Sequence, residues 1–147
     1  MPTAPLRLSQ KFLVRNLGLM NNTAVNGPKM RILIVEDEFI VGLHLESILE
    51  RLGHDIIGVV ADEAEALYLV FSEQPDLIIT DIHLAGGGNG LRVAQEAREK
   101  YGAQTVVITG HRDGGTFLKA EEAGAMAFLR KPFGLTEVEN VFSRLSS

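Results

Sequence analysis

Five short runs of aliphatic and β-branched residues, each followed by a stretch of helical periodicity, set the tightest limit on what this chain can become. The runs are Ile32–Val35, Ile56–Val60, Leu77–Thr80, Thr105–Ile108 and Ala127–Leu129. Apolar residues then recur at helical spacing: Val41, Leu45, Ile48, Leu49 and Leu52; Leu67, Val70 and Phe71; Leu91, Ala94 and Ala97; and finally Val138, Val141, Phe142 and Leu145. Strands alternating with helices predict a parallel sheet covered on both faces. Because crossovers between parallel strands are right-handed, the expected result is a (βα)5 doubly wound α/β domain. Capping boxes are expected at Asp62 with Glu65 and at Thr136 with Glu139. Helix stops are expected at Gly53, Gly102 and Gly124.

In open parallel sheets the chemistry sits beyond the carboxyl ends of the strands, near the point where strand order reverses. Strand 1 runs into Glu36-Asp37-Glu38, strand 3 into Asp81, strand 4 into Thr109-Gly110 and strand 5 into Arg130-Lys131-Pro132. Strand 2 ends in Val60-Ala61, which suits an edge position and a strand order of 2-1-3-4-5. Glu36, Asp37 and Asp81 gathered at one end would repel one another unless a cation lay among them. Oxygen donors without His or Cys nearby in sequence suit a hard divalent ion, Mg²⁺ or alternatively Mn²⁺. Lys131 adds a compact positive charge and Thr109 a hydroxyl donor, a set able to hold a tetrahedral oxyanion. Asp81 beside them has the surroundings of a nucleophile for in-line phosphoryl transfer, giving an aspartyl phosphate.

Charge narrows the partners. All 19 acidic residues lie at or after Glu36, while Arg7, Lys11, Arg15 and Lys29 precede it. Residues 30–147 hold ten basic and nineteen acidic residues, a formal charge of −9. So acidic a body argues against binding nucleic-acid phosphates and for a protein or cation partner. No apolar run approaches the length that spans a bilayer. The absence of Cys excludes a disulfide framework and fits a reducing compartment. Residues 1–29, with Pro2, Pro5, Pro28 and an Asn-Asn-Thr stretch, read as a detachable extension, disordered or partly helical around Phe12, Leu13, Leu17 and Met20. The domain itself is expected over 30–147.

The stretches Ile34-Val35-Glu36-Asp37-Glu38, Leu77-Ile78-Ile79-Thr80-Asp81, Val107-Ile108-Thr109-Gly110 and Phe128-Leu129-Arg130-Lys131-Pro132-Phe133 resemble, in this order and spacing, the receiver domain of bacterial two-component response regulators. The resemblance covers residues 30–147 and implies a flavodoxin-like fold. It makes Asp81 the phosphoacceptor, with Mg²⁺ bound by Asp37, Asp81 and the backbone carbonyl of His83, and by Glu36 through water. Lys131 would pair with the phosphoryl group, Thr109 would be the switch hydroxyl and Phe128 the switch aromatic. The Lys131-Pro132 bond would be cis. The resemblance further implies a sensor histidine kinase or histidine phosphotransfer protein as donor, a downstream protein as target, and a cytoplasmic location.

Some residues depart from the family's pattern. Glu36 replaces a more usual Asp, and Ala85 followed by Gly86-Gly87-Gly88 replaces a common Pro, which suggests a longer, looser loop after Asp81. Gly110, Gly114 and Gly115 predict a labile segment and a fourth helix starting late, near Thr116. His83 and His111 stand where they could tune the lifetime of the phosphate, whereas His44 and His54 are assigned no role. An Asp-nucleophile phosphatase of the haloacid-dehalogenase type would need a second acid where His83 stands. A flavin or nucleotide carrier is disfavoured because Gly86 to Gly90 fits neither glycine-rich phosphate-binding pattern. The chain ends at Ser147, just past the fifth helix, so the expectation is a stand-alone receiver without an output domain, a phosphoacceptor rather than an enzyme acting on other substrates.

Overall fold

The computed structural model describes residues 28–110 and 117–145. Its strands are β1 (Arg31–Val35), β2 (Asp55–Val60), β3 (Leu77–Asp81), β4 (Gln104–Thr109) and β5 (Ala127–Arg130). Its helices are α1 (Phe39–Arg51), α2 (Glu63–Glu73), α3 (Gly90–Tyr101), α4 (Phe117–Glu122) and α5 (Leu135–Leu145). The strands form one sheet in the order β2-β1-β3-β4-β5, with every neighbouring pair parallel. This is the doubly wound arrangement the alternating pattern requires. None of the described helices is long and apolar enough to cross a membrane.

Alternation along β1 divides the core. Ile32 and Ile34 face α1 and α5, where Leu45, Leu49, Val138 and Phe142 are buried with them. Leu33 and Val35 face the opposite layer, buried with Val70 of α2 and with Val93 and Ala97 of α3. A third cluster under α4 holds Ile82, Leu91, Val107, Ala120 and Ala123. Burial on both faces explains why the strands read as continuous apolar runs rather than as alternating ones.

The helix ends mostly follow local chemistry. Asp62 caps α2, its Oδ1 accepting from the Glu65 backbone N–H at 2.8 Å. The expected cap at Thr136 is corrected: α5 already begins at Leu135, and Glu137 reaches back so that its Oε1 accepts from the Gly134 N–H at 2.7 Å. Gly53, Gly102 and Gly124 do stand at helix ends with positive φ, whereas α2 stops at Gln74 in the left-handed region.

The start of α3 fixes the end of β3. Gly90 N donates to Ile82 O at 2.8 Å. A Cβ on Gly90 would fall onto the Asp81 carbonyl oxygen and approach Thr80 Oγ1 to 2.5 Å. Glycine at this position therefore lets the helix begin directly against the residue that ends β3.

Candidate functional site

Each residue at the carboxyl end of the sheet is held by its strand. Asp81 is the last residue of β3, and its Oδ1 accepts from the Ile82 backbone N–H at 2.7 Å. Glu36 follows β1, and its backbone N–H extends the ladder to Val60 O at 2.8 Å. Its side chain is buried and its Oε2 accepts from the Glu38 N–H at 3.2 Å. Thr109 ends β4, and its carbonyl accepts from the Lys131 N–H at 2.8 Å, which sets the start of the loop after β5. The Lys131-Pro132 bond is cis, as expected.

Lys131 is the hub. Its Nζ lies 2.8 Å from Glu36 Oε1, 2.8 Å from Glu38 Oε1 and 3.2 Å from Asp81 Oδ2. One oxygen from each of Glu36, Glu38 and Asp81 falls within 4.8 Å of the others. Asp37, which the sequence reading put in the metal set, is exposed and is not among these converging carboxylates. Glu38, to which that reading gave no role, is brought in instead. A signal for it was present, since positions i and i+2 of an extended chain return to one side and Glu36 and Glu38 are so spaced.

His83 is exposed and pairs through its backbone with Asn89. Phe128 is half-buried, its ring edge-on to Phe117 of α4 with centroids 4.8 Å apart. His111 lies outside the described residues, as do Gly114 and Gly115 of the segment expected to be labile and residues 1–27 of the extension. The described part of α4 begins at Phe117, so the expected start near Thr116 lies outside the described residues.

The electrostatics follow from burial. Desolvation pushes the Glu36 carboxyl up to about 7; Lys131 opposes this and the neighbouring Asp81 adds to it. Burial disfavours the Lys131 ammonium, yet contact with Glu36 and Glu38 outweighs that and holds its pKa above the ordinary lysine value. Two polar atoms here lack hydrogen-bond partners among the described residues. Glu36 Oε1 meets Lys131 only as an ion pair, and Thr109 Oγ1 is buried with nothing to bond. Carboxylate oxygens converging within 4.8 Å of one another fit a hard cation, and a hydroxyl and an ammonium beside them fit an oxyanion.

The family model of the response regulator receiver domain matches residues 32–143. The chain belongs to that family. It is 35% identical over 108 residues to the transcriptional regulatory protein PdtaR of Mycobacterium tuberculosis, covering 74% of this chain and 52% of that protein. It is 34% identical over 114 residues to the phyllosphere-induced regulator PhyR of Methylorubrum extorquens, covering 77% of this chain and 42% of that one. The receiver-family chain thus spans about half the length of these curated relatives.

Among solved structures, the signal receiver domain of a modulated diguanylate cyclase from Desulfovibrio desulfuricans G20 superposes with a TM-score of 0.71 at 27% identity, covering 80% of this chain and 98% of that one. A response regulator from Burkholderia pseudomallei, described with a phosphorylated aspartic acid, calcium ion and citrate, gives a TM-score of 0.68 at 26% identity over 76% of this chain and 65% of its own. The sheet order is what this receiver shares with its family.

Proposed function

We propose that Asp81 accepts a phosphoryl group from the phosphohistidine of a sensor histidine kinase or histidine phosphotransfer protein, and that the aspartyl phosphate switches the domain towards a protein partner. A single arrangement carries this reading: a buried carboxylate at the end of β3, 3.2 Å from the Lys131 ammonium, in a site where the buried Thr109 hydroxyl has no partner among the described residues. An Asp81 oxygen attacks phosphorus as the phosphorus–nitrogen bond of the donor breaks and the imidazole leaves. Glu36 and Asp81, with Asp37 turned in from its exposed position and the His83 carbonyl, would hold Mg²⁺ or Mn²⁺, which when bound offsets the charge of the phosphoryl oxygens. The solved relative with a phosphorylated aspartic acid and a divalent ion supports the same chemistry here.

The phosphoryl group adds roughly one and a half to two negative charges and three acceptor oxygens. Lys131 then exchanges its contact with Asp81 Oδ2 for the new oxygens, and Thr109 Oγ1 donates to one of them. Thr109 pairs with Arg130 in the ladder, and Phe128 packs on Phe117, so a shift at β4 reaches α4 through packed side chains. Exposed Phe39 and Ile40 follow Glu38 at the start of α1, and Ile40 shares a surface cleft with Glu38 and Lys131, an apolar surface for an incoming donor. His83, and His111 beyond the described residues, tune how long the phosphate lasts. A cytoplasmic phosphodonor and a signalling rather than substrate-converting role complete the reading.

The test is intact mass after incubation with Mg²⁺ and acetyl phosphate, for the parent and for Asp81→Asn. A gain of one phosphoryl mass that requires Mg²⁺ and vanishes in Asp81→Asn supports the assignment. An equal gain in Asp81→Asn overturns it.

A further inference from the structure

The loop that follows Asp81 is the least restrained by its own composition, because Gly86, Gly87 and Gly88 carry the largest backbone entropy to be lost on ordering. The structure nevertheless closes it. Leu84 N donates to Gly88 O at 3.0 Å, and the arms are joined by the His83–Asn89 bridge and by Gly90 N to Ile82 O at 2.8 Å. The tip, Ala85–Gly87, is a tight turn in which Gly86 and Gly87 take positive φ.

One side chain from another element reaches this closed loop at its base. Glu63, in the first turn of α2, accepts the Asn89 backbone N–H on Oε1 at 3.1 Å, while its Oε2 lies 3.7 Å from the Arg92 guanidinium of α3. The loop is shaped to receive it, since a Cβ on Gly88 would come within 3.1 Å of Glu63 Cβ. Asn89 is doubly engaged, its Oδ1 also accepting from Leu91 N at 2.9 Å to cap α3. Glu63 therefore grips the residue that pairs with His83, two positions beyond Asp81.

We propose that Glu63 is a positioning residue for the Asp81 site, acting through Asn89 and His83 to hold the backbone after the phosphoacceptor in the conformation that receives the cation and the phosphoryl oxygens. This rests on the functional reading above. Through Glu63 and Arg92, the neighbouring helices α2 and α3 set the geometry of a loop that would otherwise sample many conformations. Supporting groups of this kind typically change metal affinity or activity by a factor of ten or more when removed.

The test compares the parent with Glu63→Ala and Glu63→Gln by Mg²⁺ titration followed by NMR, phosphoryl uptake from acetyl phosphate by intact mass, amide exchange over residues 82–89 and thermal midpoint. Expected for Glu63→Ala are Mg²⁺ affinity and uptake rate each lower by about tenfold, faster exchange in the loop, and a midpoint close to the parent's. Glu63→Gln keeps an acceptor for the Asn89 N–H and recovers most of the loss. Equal Mg²⁺ affinity and loop exchange in parent and Glu63→Ala would overturn the proposal, as would a Glu63→Gln no better than Glu63→Ala. A parent that binds Mg²⁺ but takes up no phosphoryl group counts against the functional reading, and the affinity and exchange comparison still decides on Glu63.

Discussion

Replacing His54 by Asn should remove a defined part of the protein's sensitivity to acid. His54 follows α1 with its ring stacked on Phe142, centroids 4.7 Å apart, and its Nδ1 accepts the Met30 backbone N–H at 3.0 Å. Burial lowers its pKa from 6.5 to about 4; the nearby Asp55 opposes that shift and Lys29 assists it. The folded pKa lies below the unfolded one, so the unfolded chain takes up the proton first as pH falls. Stability from this residue is complete above pH 6.5 and is lost as pH falls towards 4. The gap corresponds to about 3 kcal/mol by pH 4.

Glu36 works in the opposite sense: its carboxyl, raised to about 7, favours the folded state as it protonates. Only the difference between variant and parent isolates His54. Asn keeps a side-chain acceptor for the Met30 N–H but does not titrate. Urea unfolding at several pH values from 7.5 to 4, without divalent ions, should show the parent losing about 3 kcal/mol more than His54→Asn. Parallel curves for the two proteins would refute the reasoning.

Further predictions concern the site and its supports. Gly90→Ala drives a methyl group into the Asp81 carbonyl and should lower stability by about 1–3 kcal/mol, read as a fall in thermal midpoint, along with phosphoryl uptake. Thr109→Val replaces a hydroxyl that bonds to nothing among the described residues, so the unphosphorylated fold should be as stable or more so. Uptake should persist in Thr109→Val, while the NMR shifts that phosphorylation causes in α4 should shrink. Glu38→Gln removes one of the carboxylates on Lys131 and a negative charge from the path of an anionic donor, so its uptake of phosphoryl from acetyl phosphate should be faster than the parent's.

Strand and helix periodicity made the fold legible because both faces of the sheet are buried, and the polar residues after four of the five strands pointed to the order. Each strand runs one residue past its apolar stretch at one end or both, as at Arg31, Asp81 and Thr109, because polar residues pair in the ladder as readily as aliphatic ones. Asp81, Lys131, Thr109 and Glu36 were legible from their places at strand ends. Glu38 was not singled out although its i, i+2 spacing from Glu36 offered a signal; its contact with Lys131, 93 positions away, emerges only in the fold. The same distance effect hid Glu63, whose partner Asn89 lies 26 positions away, and made the glycine loop read as loose when it is in fact closed. His54 gave no signal because its burial depends on Met30 and Phe142, neither of them a neighbour in sequence.

The central claim is that the phosphoryl group goes onto the Asp81 carboxylate. Treating the phosphorylated protein with borohydride reduces an acyl phosphate to an alcohol, and tandem mass spectrometry of the digest then locates the altered residue. Aspartate reduced to homoserine is expected at position 81 alone, and only in samples given Mg²⁺ and the phosphodonor. Reduction at Asp37, Glu36 or Glu38, or a phosphoryl mass that survives borohydride unchanged, would contradict it.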